Sequence, residues 1–171
     1  PKLTSSLGAG RMAVGLSSGY FHTCLILDNG SSSCWGDGSY GQLGNGATSD
    51  RTTPTLTSSL GTGRTAALSE RDFDGDGMFN IFQAHSNLDY RESTLSSGDD
   101  HTCAILDNGA VSCWGRGLSG HLGNGGTSDK TTPTLTSSLG TGRTAVALSS
   151  GGWHTCAILD NGAVSCWGLG Y

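Results

Sequence analysis

The sequence predicts an all-β fold, a partial β-propeller of about three four-stranded blades with one inserted acidic loop. Three observations favour it. The 171 residues include 29 glycines and only 13% charged residues. No stretch carries apolar residues at the i, i+3, i+4, i+7 spacing of a helix over three turns. Short apolar runs bounded by turn residues recur in three copies of one block, which is typical of strands joined by tight turns.

Internal repetition sets the organisation of the chain. The block PKLTSSLG at Pro1 returns as PTLTSSLG at Pro54 and Pro133, and each copy precedes one copy of the pattern HTCxILDNGxxSCWG. The repeat length is 53 residues, both from Pro1 to Pro54 and from His101 to His154. We therefore interpret the chain as a single propeller segment of three units: 1–53, 54–132 with an insertion at 69–94, and a truncated 133–171.

Each unit predicts four strands. Residues 101–106 and 110–114 flank Asp107-Asn108-Gly109, which indicates a hairpin whose last loop residue is left-handed, a conformation that glycine adopts readily. Residues 134–139 and 145–148 are predicted to supply two more strands. Four strands in about fifty residues is the pattern of a propeller blade.

The repeat also resembles a known family. The motif HTCxILDNG followed by CWGxGxxGQLGNG, complete by Gly46 and repeated by Gly125 with His121 in place of Gln, resembles the repeat of the regulator-of-chromosome-condensation family. The resemblance covers the chain except for the insertion and implies propeller blades, normally seven. Three blades cannot close a ring, so it implies a piece of a longer protein or an assembly of several chains. It also implies a structural hydrogen-bonding role inside the blade for the repeated histidines, which are His22, His101 and His154.

Each unit holds two cysteines ten residues apart, centred on the Asn of its DNG loop. A three-residue loop places Cys24 opposite Cys34, whereas a four-residue loop would place Cys24 opposite Ser33. Opposed Cβ atoms lie roughly 4.5–5.5 Å apart and a disulfide requires roughly 3.5–4.5 Å, so a modest pinch suffices. Each bridge is expected to stabilise its hairpin by about 2–3 kcal/mol and indicates an oxidising compartment. The predicted disulfides are Cys24–Cys34, Cys103–Cys113 and Cys156–Cys166.

Two alternatives for these residues stay open at this point. His22 and Cys24 share one face of a strand with Cys34 opposite, which gives three zinc ligands per unit. The hairpin lacks a Cys-x2-Cys knuckle, and no repeated position supplies a fourth ligand. A catalytic Cys–His pair is the other alternative, but catalysis needs one copy and does not explain three.

The tryptophans fall into two groups. Trp35, Trp114 and Trp167 end the repeated motif and are predicted to be half-buried packing residues that bond their N–H locally. Trp153 occupies a position that varies between repeats, where the others have Phe21 and Asp100. It is predicted to be a loop or surface residue, and a candidate contact with a partner.

The insertion has the pattern of a calcium loop. Asp72, Asp74, Asp76 and Asn80 supply oxygen donors at positions 1, 3, 5 and 9, with a glycine at 6 and a main-chain carbonyl at 7, which are the first part of such a loop. This stretch resembles the calcium loops of dockerin modules and thrombospondin type 3 repeats. Position 12 is a glutamine, which removes a charge and a ligand; Asp89 or Glu92 could substitute for it. The alternative is an acidic solvated loop without an ion. The predicted Ca²⁺ ligands are Asp72, Asp74, Asp76, Met78, Asn80 and Gln83, followed by a short helix over 78–85.

Charge and composition narrow the function classes. The net charge is −5, and six acidic residues lie within 70–92, without clusters of lysine and arginine that would suit nucleic acid or an anionic membrane. No apolar run of 18 residues is present to span a membrane.

No catalytic constellation or cofactor motif recurs. We predict a non-catalytic propeller segment, extracellular or at the cell surface, that serves as a protein-interaction scaffold with a weak structural calcium loop. Secreted propellers of the resembled family that inhibit enzymes through their loops are the closer analogy, rather than the namesake, which acts on a small GTPase and chromatin. The partner protein is unknown. Self-association through open blade edges is expected. The alternatives are a structural spacer of a large surface protein and a hydrolase that uses the inserted carboxylates.

Overall fold

The computed structural model describes residue 7 and residues 11–61, 63–66 and 94–170. These residues form three antiparallel sheets, as predicted for propeller blades. Within them, no helix is long and apolar enough to cross a membrane. Sheet I contains β1 (Ala13–Ser18), β2 (His22–Leu27), β3 (Ser32–Gly36) and β4 (Arg51–Leu56). Sheet II contains β5 (Leu95–Ser97), β6 (His101–Ile105), β7 (Val111–Gly115) and β8 (Lys130–Leu135). Sheet III contains β9 (Ala145–Ser150), β10 (His154–Leu159) and β11 (Val164–Gly168).

The central hairpin of each sheet has the register expected from a three-residue loop. Leu27 N–H donates to the carbonyl of Ser31, and Cys24 pairs with Cys34. Gly30 closes the loop with φ of 74°, the left-handed conformation. The Asn29 side chain accepts a hydrogen bond from Ser31 N–H. Sheets II and III repeat this arrangement, so the loop chemistry sets the register of all three hairpins.

The outer strands differ from the prediction. The strand predicted at 134–139 lies at Lys130–Leu135, and the chain beyond Leu135 leaves the sheet. Thr134 pairs with Cys113, and Lys130 pairs with Gly115. Pro133 is tolerated because β8 is the last strand of its sheet, where a missing N–H breaks no ladder. Each outer strand thus contains the proline that begins the next sequence repeat, so sheets and repeats are offset.

The inner strand β5 contacts both β1 and β9, the inner strands of sheets I and III, whereas β4 and β8 lie at the outside. In sheets I and III the inner strand carries a bulge near its start. In sheet II, Ala66 bridges to Leu106 and the carbonyl of Thr94 accepts from Ile105 N–H. The two flanks of the insertion therefore pair with successive residues of one strand, at the position of the bulge. The insertion predicted at 69–94 lies outside the described residues except for Thr94.

Two apolar cores fill the spaces between the sheets. The first joins Ile26 and Leu43 of the first repeat to Leu95, Leu106 and Trp114. The second lies between sheets II and III. Sheet II is consequently buried on both faces, with every residue of β6 and β7 inaccessible. Burial of apolar area between stacked sheets is the main stabilising contribution.

Candidate interaction surface

The residues that differ between repeats gather at one end of the molecule. The loops between the first two strands of each sheet carry Tyr20-Phe21, Asp99-Asp100 and Gly152-Trp153 in turn. The side chains of Tyr20, Phe21 and Trp153 are 69%, 65% and 47% exposed. The Tyr20 and Phe21 rings pack edge to face with their centres 4.4 Å apart. Exposed aromatic side chains are thus presented on two of the three loops.

A second row of loops lies beside the first. Asp37 N–H donates to the carbonyl of Phe21, and Arg116 N–H donates to the carbonyl of Asp100. The chain following β3 then reaches Tyr40. These hydrogen bonds make the two rows one continuous region, which we call the loop surface: Tyr20, Phe21, Tyr40, Asp100, Arg116 and Trp153.

Arg116 links the three sheets across the loop surface. Its guanidinium carbon lies 4.7 Å from the ring centre of Tyr40, in the loop between β3 and β4 of sheet I, and 5.6 Å from that of Trp153, which precedes β10. Its Nη1 lies 3.0 Å from Asp100 Oδ2. Each cation–π contact at a partly exposed site contributes about 0.5–1 kcal/mol. The two rings and the carboxylate hold the cation in a defined position.

Two histidines lie beneath the stack. The His121 ring is centred 5.5 Å from that of His101 and 6.2 Å from that of Trp153. Burial lowers the pKa of His121, and the charge of Arg116 lowers it further. Burial also lowers the pKa of His101 to about 3, with contributions from neighbouring histidines including His121. Both rings are therefore neutral near pH 7, and the positive charge at this point is that of Arg116.

The first repeat builds the equivalent position from other groups. Gln42 stands where the second repeat has His121, and its Nε2 donates to Asp37 Oδ2. The largest effect on the pKa of Asp37 is burial, which raises it, but hydrogen bonds from Ser39 and Gln42 outweigh it and leave the pKa below its ordinary value. Asp37 is therefore a carboxylate where sheet II has a guanidinium. The two aligned positions after β3 and β7 thus carry opposite charges.

The repeated histidines contact the next sheet rather than their own, which corrects the role expected inside the blade. His22 Nε2 lies 2.8 Å from Thr102 Oγ1, and His101 Nε2 lies 2.8 Å from Thr155 Oγ1. The reason is the register, which turns the histidine face of each hairpin toward its neighbour. His154 is exposed and has no such partner among the described residues.

The repeated tryptophans also act between sheets. Trp114 Nε1 donates to the carbonyl of Gln42 and Trp167 Nε1 to that of His121, each in the preceding repeat. The expectation of a local hydrogen bond and a half-buried ring was therefore wrong for Trp114, which is fully buried. Strand-end position alone does not reveal that the preceding loop folds over the ring. Trp153 lies in a loop and is partly exposed, the position that sequence variation indicates.

Each predicted cysteine pair forms a disulfide in the structure. These are Cys24–Cys34, Cys103–Cys113 and Cys156–Cys166. The zinc alternative needs two thiolates beside His22, but Cys24 and Cys34 are bonded to each other and His22 contacts Thr102. Residues 11–61, 63–66 and 94–170 contain no cluster of three or more histidine, cysteine or acidic residues arranged to hold a metal. The predicted calcium ligands Asp72 to Gln83, the substitutes Asp89 and Glu92, and the predicted helix at 78–85 lie outside the described residues.

Sequence reasoning singled out Trp153 but missed Tyr40 and Arg116 as residues of the loop surface, and His121 as the buried ring beneath them. Their signal was available, because the aligned positions in the other repeat differ: Ser119 aligns with Tyr40, and Asp37 aligns with Arg116. Nothing in the sequence places these positions side by side. That information comes from the stacking of the sheets.

Comparison with known proteins identifies the repeat. Two profiles described as "Regulator of chromosome condensation (RCC1) repeat" match the chain, one at residues 13–42 and 93–120 and the other at 34–67 and 108–158. Both leave most of the insertion unmatched.

Curated relatives and solved structures agree on the fold. The ultraviolet-B receptor UVR8 of Arabidopsis thaliana is 29% identical over 91% of this chain, and the human E3 ubiquitin-protein ligase HERC2 is 29% identical over 99%. The matched part is 41% of UVR8 and 3% of HERC2. Prp20p of Saccharomyces cerevisiae superposes with a TM-score of 0.64 at 21% identity, covering 91% of this chain and 32% of that one. The CRINKLY WD40 ectodomain of the Arabidopsis thaliana receptor kinase ACR4 gives 0.54 at 17% identity, covering 98% and 41%.

Proposed function

The chain belongs to the regulator of chromosome condensation (RCC1) repeat family, and we propose that it is a non-catalytic module whose loop surface binds a protein partner. One observation carries the proposal: Arg116 is held between Tyr40 and Trp153, so three sheets contribute to one exposed aromatic and cationic patch. Tyrosine, tryptophan and arginine are the side chains that dominate binding energy at protein interfaces. The solved structure of Prp20p is described with its binding to Gsp1p and histones, which supports a binding role for this fold.

The geometry favours this function over a structural spacer. A spacer needs only the conserved frame of strands, disulfides and glycines, which is nearly identical in the three repeats. In a spacer, the residues that differ between repeats would be scattered over the surface or would be small and polar. Instead they form one patch with 47–69% exposed aromatic side chains, whose exposure costs solvation free energy unless a partner covers them.

The test uses a displayed library of extracellular protein domains, screened against the purified chain. Trp153→Ala and Tyr20→Ala should each weaken binding of the selected domains at least tenfold, because each removes a large contact surface. Leu135→Ala, an exposed apolar residue on β8 away from the loop surface, is the matched control and should bind as the wild type does. Equal binding by all variants would place the interface elsewhere. A screen that selects no binding domain would favour the structural spacer.

We also propose an extracellular or cell-surface location. The three disulfides suit an oxidising compartment, and the ACR4 structure is that of a receptor ectodomain. Alkylation of protein from its native environment should label no cysteine before reduction and six after it. Labelling of all six without reduction would contradict this location.

A weak structural calcium site in the insertion is the third part of the proposal. Its support is the ligand pattern of Asp72, Asp74 and Asp76 followed by Asn80, together with flanks that leave and rejoin one strand. Calcium at 100 times its Kd should add about 2.7 kcal/mol to the free energy of unfolding.

Calorimetry with and without calcium measures this effect, and Asp74→Asn with Asp76→Asn should abolish it. Magnesium at the same concentration is the control for ionic strength. Turnover of a hydrolase substrate panel that depends on the same aspartates would instead favour the enzyme alternative.

A further inference from the structure

The loop of the first hairpin carries an acceptor sequence for an N-linked glycan, Asn29-Gly30-Ser31. The acceptor pattern is asparagine, any residue except proline, and then serine or threonine. Of the seven asparagines in the chain, Asn29 is the only one in this pattern. The loops of the second and third hairpins have Ala110 and Ala163 where the first has Ser31. The sequence thus distinguishes one of three otherwise equivalent loops.

The fold places this acceptor at an exposed loop tip. Asn29 lies in the loop between β2 and β3 and is exposed, and Ser31 is half-buried. Asn29 Oδ1 accepts a hydrogen bond from Ser31 N–H at 3.2 Å. Its Nδ2, the atom to which a glycan is attached, makes no hydrogen bond within the part of the chain that the structure describes. A bulky glycan needs such a surface loop.

The architecture of the hairpin does not account for the serine. In the loops that contain Ala110 and Ala163, the asparagine Oδ1 accepts a hydrogen bond from the N–H two residues later at 3.1 Å. The loop glycines of the three hairpins have φ values of 74°, 75° and 80°. The Ser31 hydroxyl makes no hydrogen bond in residues 11–61, 63–66 and 94–170. Alanine therefore suits the hairpin equally well, and what Ser31 adds is the hydroxyl that the acceptor pattern requires.

The loop tip is remote from the loop surface. The two are separated by the length of β2, which runs from His22 to Leu27 and spans about 20 Å. The Gly30 carbonyl accepts a hydrogen bond from Ala66 N–H, so the neighbouring chain covers the glycine while Asn29 stays exposed. A glycan at this tip leaves the loop surface accessible to a protein partner.

We propose that Asn29 is an N-glycosylation site, an inference that rests on the proposed extracellular or cell-surface location. The donor is an oligosaccharide carried on a polyprenyl diphosphate lipid. Asn29 Nδ2 forms a bond to the anomeric carbon of the first sugar and loses one proton. The bond from that carbon to the diphosphate oxygen breaks, and the lipid diphosphate leaves with the electron pair. Asn108 and Asn161, which lie in equivalent loops without the hydroxyl, stay unmodified.

Mass spectrometry of protein from its native environment tests the site. The peptide that contains Asn29 should carry one glycan, which peptide N-glycosidase releases while converting the asparagine to aspartate. Asparagine followed by glycine also deamidates spontaneously, so the digestion is done in heavy-oxygen water, which excludes aspartate formed earlier. Asn108, followed by the same glycine, reports the spontaneous reaction during the digestion. An Asn29 peptide without glycan would overturn the proposal.

Variants secreted from eukaryotic cells test the acceptor directly. Asn29→Gln and Ser31→Ala should each lower the mass of the wild-type chain by one whole glycan, and Ser31→Thr should retain it. Ala110→Ser builds the same acceptor on the second hairpin and should add a second glycan, at Asn108. A secreted wild-type chain without a glycan, or a glycan that survives Asn29→Gln, would overturn the assignment.

The cysteines and the loop surface keep this test separate from the proposed function. An unmodified Asn29 in native protein whose six cysteines are all oxidised would overturn the glycosylation site and leave the location standing. Six free cysteines in the same protein would overturn the location as well. Asn29→Gln should bind the selected domains as the wild type does, so failure of the glycosylation site leaves the proposed interface unaffected.

Discussion

Thr102 shows how much of the stacking depends on one hydroxyl. Its Oγ1 lies 2.8 Å from His22 Nε2 and 3.2 Å from the carbonyl oxygen of Gln42, and the residue is fully inaccessible. A threonine thus joins sheet II to both the hairpin and the following loop of the first repeat. Removing the hydroxyl leaves the buried His22 Nε2 without this partner, whereas the carbonyl of Gln42 keeps its hydrogen bond from Trp114 Nε1.

We therefore expect Thr102→Val to lower the free energy of unfolding by about 1–3 kcal/mol, since valine keeps the shape and loses the hydrogen bonds. Denaturant unfolding followed by tryptophan fluorescence measures this. Thr132→Val on the outer strand is the control, because Thr132 is exposed and its hydroxyl makes no hydrogen bond within the described part of the chain. A loss no larger than that of Thr132→Val would show that the hydroxyl contributes little.

The buried histidines predict acid sensitivity. Burial lowers the pKa of His22 to about 4 and that of His101 to about 3. The unfolded chain, with histidine pKa values near 6.5, binds more protons below that pH than the folded chain does. Stability is therefore complete above pH 6.5 and falls as the pH is lowered toward 4 and 3.

The expected loss is about 2 kcal/mol per histidine between pH 6.5 and pH 5. Urea unfolding at pH 7.5, 6 and 5 measures it, and His22→Gln should reduce the slope because it removes one of the histidines with a lowered pKa, which are His22, His101 and His121. An unfolding free energy that is constant from pH 7.5 to 5 would contradict the burial of these neutral rings.

At the scale of the element, the disulfide-bridged hairpin is the part that sequence predicts best. Its loop, register and cysteine pairing depend on residues within fifteen positions of each other, and Gly109 alone fixes the left-handed turn with φ of 75°. The outer strand was predicted four residues late because its position depends on pairing with β7 across a long loop. Local chemistry determines the first, and tertiary contacts determine the second.

The hairpins should differ in their dependence on the disulfide. Replacing Cys103 and Cys113 by serine in the middle sheet should lower the free energy of unfolding by about 2–3 kcal/mol from chain entropy, and further because two hydroxyls enter a fully buried core. The same replacement of Cys156 and Cys166 removes a bridge on the face of sheet III that points away from sheet II, where Cys166 is exposed, and should cost only the entropic part. Thermal unfolding of the two double variants compares their losses of stability. Equal losses would mean that burial of the cysteines between sheets adds nothing to the effect of the disulfide.

At the scale of the whole molecule, the repeats were predictable and their assembly was not. The motif and its period predict blades, but the contact of Arg116 with Tyr40 and Trp153 joins residues of three repeats. No periodicity in the sequence encodes which loops become neighbours. The candidate site could therefore be predicted only as a set of variable positions, of which Trp153 was one.

The position of the insertion leads to the last prediction. Ala66 and Thr94 pair with Leu106 and Ile105, so the inner strand of sheet II is interrupted at one point by residues 67–93. In the third repeat a single residue, Val146, occupies this place between paired residues of β9. Replacing 67–93 by one valine would make the strand continuous, as it is in sheets I and III.

Closing a loop of 27 residues costs about 3 kcal/mol of chain entropy. The shortened chain should therefore unfold at higher denaturant concentration in the absence of calcium, by up to about that amount. If the insertion binds calcium, adding the ion should stabilise the full chain and leave the shortened chain unchanged. The difference in the free energy of unfolding between the two chains should then become smaller. A shortened chain that is less stable than the full chain without calcium would show that the inserted residues stabilise the inner strands by packing. That result would contradict the interpretation of residues 67–93 as an insertion that does not stabilise sheet II.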